Sequence, residues 1–198
     1  DEITSDQSLL FSGPSEANAT VTVYLTAALI GTTPADGAGA WSFDHTGTTL
    51  AAGNYNVTAT ATDAAGNVSG LSAALPVTID IAAPAAPVVN AISTDTGIAG
   101  DEITSDQTLI FSGTSEANAT VSVYLNAALI GTTTANGAGT WSFDYTGTTL
   151  PAGSYNVTAT ATDAAGHTSG LSAPPPVAIH IAAPAPPRVT AGTTATAT

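Results

Sequence analysis

A repeat with a period of 100 residues restricts this chain's architecture more than any other feature. DEITSDQ at Asp1 returns unchanged at Asp101, and YNVTATATDAAG at Tyr55 returns unchanged at Tyr155. SEANATVTVYL at Ser15 and WSFDHTGTTL at Trp41 each return with a single replacement, at Ser115 and Trp141. The alignment needs no gap, and roughly four-fifths of the positions agree within a module. Solenoid units run to about 20–50 residues, because each buries its apolar face only on its neighbours. A longer unit matches a complete small domain with a core of its own. The chain therefore reads as tandem modules.

The boundary follows from composition. Residues 79–87 are rich in Pro and Ala, lack turn glycines and recur at 179–187. Proline fixes φ and favours extended backbone, so this stretch reads as a short, stiff linker. The expected division is residues 1–83, 84–183 and 184–198. The second module starts with a strand at Val88–Ile92 that the first lacks, because the sequence begins at Asp1. Residues 184–198 read as a linker, the start of a further module, or a strand given to a neighbour.

Apolar residues alternate with Thr, Ser and Asn in short runs. Tyr155, Val157, Ala159 and Ala161 are expected inward, and Asn156, Thr158, Thr160 and Thr162 outward. Further strands are expected at Thr108–Ser112, Thr120–Leu125, Ala128–Thr132 and Trp141–Phe143, with a last one through Val177, Ile179 and Ile181. Seven short strands separated by turns, with no apolar period of 3.6, predict an all-β sandwich. Met is absent, Phe numbers 4, and the apolar content is largely Ala and Val, which suits thin sheets.

Charge narrows the partners. Fifteen acidic residues face one basic residue, for a net charge of -14. Nucleic acid is excluded as a partner, since phosphate contacts need Lys and Arg, and anionic membranes are disfavoured likewise. No apolar run approaches the ~18 residues of a membrane helix, so no membrane insertion of this segment is expected. Cys is absent, so no disulfide staples the fold.

The Trp-x-Phe strand, the run Leu-x-Ala-Gly-x-Tyr-x-Val-Thr-Ala-Thr-Ala-Thr-Asp-Ala-Ala-Gly and the Pro-rich linker resemble the bacterial immunoglobulin-like repeats of large surface adhesins. These include biofilm-associated and type I-secreted adhesins. The resemblance covers both modules and implies tandem immunoglobulin-like β-sandwiches with Greek-key topology. It also implies an extender stalk at the bacterial cell surface, contacts with neighbouring modules of the same chain, and Ca²⁺ near module junctions.

Two groups of acids are candidate Ca²⁺ ligands, a cation that takes six to eight oxygens. One is the loop carrying Asp95, Asp101 and Asp106, matched in the first module by Asp1 and Asp6. Its spacing is not that of an EF-hand, and solvated turn-capping acids fit it as well. The other is the junction. Loops alternate between the poles of a sandwich, so Glu116 and Asp163 should lie at the pole the linker enters. Asp80 lies in that linker, and Asp1 to Asp6 at the facing pole. The next linker carries His180 in place of Asp80, so a second junction would bind Ca²⁺ poorly. Asp63 and Asp163 fit turn capping equally.

An enzyme is not expected. The histidines are His45, His167 and His180, and the first two are replaced by Tyr145 and Asn67 in the other copy. No Gly-x-Ser-x-Gly or His-Glu-x-x-His occurs. Trp41 and Trp141 sit in apolar alternation and are expected in the core. The outward threonines Thr58, Thr60 and Thr62 form too small a surface to bind ice. The expected function is a non-enzymatic extracellular stalk. The alternative is a filament of identical subunits joined head to tail by β-strand complementation.

Overall fold

The structure is a computed structural model that describes residues 2–188. The described residues contain strands and turns and no helix. The first module holds β1 (Glu2–Thr4), β2 (Leu10–Pro14), β3 (Thr20–Leu25), β4 (Ala28–Pro34), β5 (Ala40–Asp44), β6 (Gly53–Thr62) and β7 (Leu75–Ile79). The second holds β8 (Val88–Ile92), β9 (Ile103–Thr104), β10 (Ile110–Thr114), β11 (Thr120–Leu125), β12 (Ala128–Thr134), β13 (Thr140–Asp144), β14 (Gly153–Thr162) and β15 (Pro176–Ile179).

Each module is an immunoglobulin-like sandwich of two sheets. The larger sheets run β1-β7-β6-β3-β4 and β9-β15-β14-β11-β12. The smaller sheet is β13-β10-β8 in the second module and only β2-β5 in the first. Corresponding strands pair in identical register: Val21 faces Ala61 as Val121 faces Ala161, and Phe11 faces Phe43 as Phe111 faces Phe143. The β3–β4 and β11–β12 hairpins close through two residues at positive φ, Thr26–Ala27 and Asn126–Ala127. That backbone follows the strand twist, as in type I′ turns, without the usual Asn-Gly signal.

Inward-facing residues of the two sheets build the cores. Phe11, Val21, Val23, Val57, Val77 and Ile79 form one cluster. Phe111, Val121, Val123, Val157, Val177 and Ile179 form the other, with Val89, Ile92, Leu109 and Trp141 added. The clusters share no residue, so each module buries its own apolar surface. The linker is anchored as well, with Pro84 and Pro87 buried.

Several expectations are corrected by packing. The strand expected at Thr108–Ser112 runs two residues later, because Gln107 Nε2 turns back to donate to Leu150 O. The loop expected to be structureless between the first two strands of a module contains β9, paired parallel to β15, so the second module has eight strands rather than seven. Thr160, expected outward, is buried. Ile181 lies beyond the last strand and is exposed.

Candidate functional site

The acids singled out by the sequence mostly cap their own turns. Asp6 Oδ1 accepts from the N–H and hydroxyl of Ser8, at 2.8 Å each, and Asp106 Oδ1 accepts likewise from Thr108, at 2.9 Å each. The backbone N–H of Ser8 and of Thr108 holds each carboxyl below the ordinary Asp value. Asp101 Oδ1 accepts from Ile103 N–H, and Asp80 Oδ1 from Ala82 N–H. Asp163 closes the turn to His167: its Oδ1 takes His167 N–H at 2.9 Å, and its Oδ2 meets His167 Nδ1 at 3.2 Å. Burial raises the Asp163 carboxyl, and the His167 hydrogen bonds outweigh that and hold it low. Gly166, at φ 90°, completes this turn in a backbone region open mainly to glycine. Asp95 Oδ2 takes Gly100 N–H, and its Oδ1 is buried without a partner.

The register brings parts of the expected junction group to common ends. Thr4 pairs with Ile79, and Asp80 N–H donates to Thr4 O at 3.0 Å, so Asp80 and Asp6 share the pole of the first module that leads into the linker. In the second module Thr120 pairs with Thr162, which places the turns of Glu116 and Asp163 at one pole. Glu116 lines a cleft with Ala85 and Ala86 of the linker. Among the described residues no three acids or histidines gather closely enough to hold a metal by themselves. Asp1 lies outside the described residues.

The histidines have structural surroundings. His45 stacks on Phe43 with ring centroids 6.0 Å apart, as Tyr145 does on Phe143 at 6.2 Å. His180 is exposed after β15.

The most developed concavity was not singled out from the sequence. It is a groove of about 600 Å³ along the first module, lined by Phe11, Gly13, Trp41, Ala59, Ser72 and Leu75 among others. Its floor is core that the second module covers with β8. Trp141 is 3% exposed, and Leu109, Ala159 and Ala161 are fully buried. Their counterparts Trp41, Leu9, Ala59 and Ala61 are only partly buried. One wall is the edge of β2. His45 N–H donates to Leu9 O and Ser15 N–H to Gly39 O, so odd residues face β5. The backbone groups of Leu10, Ser12 and Pro14 therefore face the groove. The other wall is the segment 69–75. Ser69 and Ser72 hydroxyls accept from the N–H groups of Ala61 and Ala59, at 2.9 and 3.0 Å, and so cover the upper edge of β6. The repeated Ser-Gly-Leu-Ser at Ser69 and Ser169 was the sequence signal for this edge cover.

In the second module the equivalent groove is filled. Phe111 pairs with Ile92 and Gly113 with Val89, with a register shift between Ser112 and Gly113. Glu102, buried and at φ 58°, accepts from Ile92 N–H through Oε2 at 3.1 Å. Desolvation by burial pushes its carboxyl above the ordinary Glu value, opposed by the Ile92 N–H and reinforced by Asp95 and Asp101.

Several solved structures are similar to the chain. The fibronectin(III)-like modules of Clostridium thermocellum CbhA are 14% identical, with a TM-score of 0.44, covering 90% of this chain and 87% of that one. A tetra-tandem repeat from the extending region of a large adhesion protein is 23% identical, with a TM-score of 0.39. A 1.5-MDa bacterial ice-binding adhesin is 26% identical, with a TM-score of 0.41. The two adhesin structures cover 90% and 89% of this chain, which spans 46% and 59% of theirs. No curated protein matches the sequence. The bacterial Ig-like domain model matches twice, at residues 1–81 and 83–179. With two sandwiches in the same register and a family match over nearly all of both, the chain belongs to the bacterial Ig-like domain family.

Proposed function

We propose that the chain is an extender segment of a bacterial surface adhesin, a non-enzymatic and extracellular spacer stiffened by Ca²⁺ at its module junction. The observation that carries this reading is the pairing of two autonomous cores with a buried-proline linker. Independent cores let modules be added in series without changing one another. A linker whose Pro84 and Pro87 are buried is a fixed connection rather than a loose tether. Ig-like modules are typically structural, and the histidines here sit in packing and turns. A net charge of -14 opposes collapse of such an array by self-repulsion.

Ca²⁺ is the finer part of the proposal, and its support is positional. Asp80 and Asp6 lie at the pole of the first module beside the linker, and Glu116 lies beside Ala85 and Ala86. Asp163 is at the same end as Glu116. Backbone carbonyls and water would have to complete the cage, because the acids alone do not gather in threes. The loop of Asp95, Asp101 and Asp106 is a second candidate, marked by the buried Asp95 Oδ1.

Small-angle X-ray scattering with excess Ca²⁺ and then with chelator tests both parts. The extender reading expects a concentration-independent two-module particle. The Ca²⁺ reading expects chelation to increase flexibility, with Asp80→Asn reproducing the chelated profile in Ca²⁺. Superimposable profiles would remove Ca²⁺ and leave the extender. A particle collapsed to the size of one module would remove the extender.

A further inference from the structure

We infer that the groove of the first module is an acceptor site for an extended strand with the chemistry of β8, a Pro-x-Val-x-x-Ile segment of the kind that leads into a module of this family. This goes beyond the extender reading and stands without it.

The two modules act as an internal control. Each part of the second module that holds β8 is present in the first. Trp41, Ser69 and Ser72 stand where Trp141, Ser169 and Ser172 stand, and the latter three are buried. Glu2, exposed, stands where Glu102 receives Ile92 N–H. The edge of β2 offers the backbone groups of Leu10 and Ser12, as β10 offers those of Ile110 and Ser112. At Pro14 there is no N–H, and its carbonyl takes the indole N–H of Trp41 at 3.3 Å. In the second module Trp141 Nε1 has no partner. An incoming strand would therefore displace that indole contact.

The site also dictates a sequence pattern. A regular strand buries every second residue. β8 buries Val89 and Ile92, three apart, because the register shift makes Asn90 an extra residue. The acceptor therefore selects Val and Ile at that spacing rather than simple alternation. Glycine at position 13 keeps the passage open. A Cβ at Gly113 would collide with the Val88 carbonyl oxygen, so the backbone of the docked strand passes directly over this point. A Cβ at Gly13 meets only the Trp41 ring, at 3.2 Å. The chain's own Pro187-Arg188-Val189-Thr190-Ala191-Gly192 matches the Pro and the Val but has Gly where the Ile belongs, and 189–198 lie outside the described residues. That segment is accordingly the poorer ligand.

The test is titration of the intact chain, as Trp141→Phe so that Trp41 alone reports, with a synthetic peptide of the sequence of residues 84–95. Expected are a blue shift of Trp41 emission and a rise of the first module's melting temperature on the order of 10 °C at ~100 times Kd. The same peptide with Ile92→Asp, or with Asn90 deleted, should bind at least ~10-fold more weakly, a difference of the size that losing one buried apolar anchor brings. Gly13→Ala should abolish binding while the chain keeps its own unfolding transitions. No spectral or thermal change up to ~1 mM peptide, the weak limit of specific affinity, would overturn the proposal. So would undiminished binding to Gly13→Ala. Equal affinity for a peptide of residues 184–195 would overturn the required Ile, and concentration-dependent assembly of the chain in sedimentation would then point to its own end as the occupant.

Discussion

Replacing Gly113 and Gly13 by Ala, one at a time, separates the two modules more sharply than any other single change. In a relaxed strand this substitution gains about 0.5–1 kcal/mol, because Ala loses less backbone freedom on folding. At Gly113 the new methyl would collide with Val88 O and lie 2.7 Å from the Trp141 ring. Trp141 is buried and cannot retreat, so β8 must lift. Overpacking of this kind costs about 1–3 kcal/mol. If β8 detaches, the burial of Val89 and Ile92 is lost as well, at about 1.5–3 kcal/mol each. The expected net loss for Gly113→Ala is about 2–4 kcal/mol in the second module. At Gly13 the methyl meets only the partly exposed Trp41 ring at 3.2 Å, which has room to shift. The expected change there lies within about 1 kcal/mol of zero. Urea unfolding read through single-tryptophan backgrounds, Trp41→Phe for the second module and Trp141→Phe for the first, assigns each transition. Equal effects of the two substitutions, or an unchanged second module in Gly113→Ala, would refute the account of β8 as the strand that distinguishes the modules.

Glu102 makes the second module sensitive to pH. Its folded-state carboxyl is raised by burial, so the protonated form is favoured in the fold, and stability falls as pH rises from the ordinary Glu value through the elevated one. Glu102→Gln should match the parent below that window and exceed it at neutral pH, measured by thermal melts across pH 3.5–7.5. The exposed capping acids act in the opposite sense. Asp44 and Asp144 are held low by the hydroxyl and N–H of Thr46 and Thr146, so their contribution disappears as pH falls through the lowered values. Asp144→Asn should therefore flatten the acid limb of the same melts. Ser172→Ala leaves Ala159 N–H buried without an acceptor and should cost about 1–3 kcal/mol by urea unfolding. Ser72→Ala, at the exposed equivalent, should cost clearly less, because water replaces the hydroxyl.

Much of the fold was legible because it rests on local rules. The strand Tyr155–Thr162 alternates strictly, and an alternating strand with one face buried has one workable register. Thr120–Leu125 and Val88–Ile92 could be bounded to the residue for the same reason. β9 was not legible, since a two-residue parallel strand carries no period and exists only because β15 lies beside it. The candidate site was less legible still. Acidic clusters invite a metal reading, yet Asp6, Asp106 and Asp163 each spend oxygens on N–H groups two to four residues away. The same short side chain and spacing serve either role.

The clearest division lies in residues that are identical in both copies. Sequence alone determined that there are two modules, that they are all-β, and which residues alternate inward, because these depend on the repeat and on strand periodicity. It could not determine that Trp41, Glu2 and Gly13 differ in circumstance from Trp141, Glu102 and Gly113. Their chemistry and their neighbours in sequence are nearly the same. What differs is one strand docked from outside the repeated segment. Burial, the raised carboxyl of Glu102 and the steric demand at Gly113 all depend on that long-range contact, and long-range contacts are formed by tertiary packing.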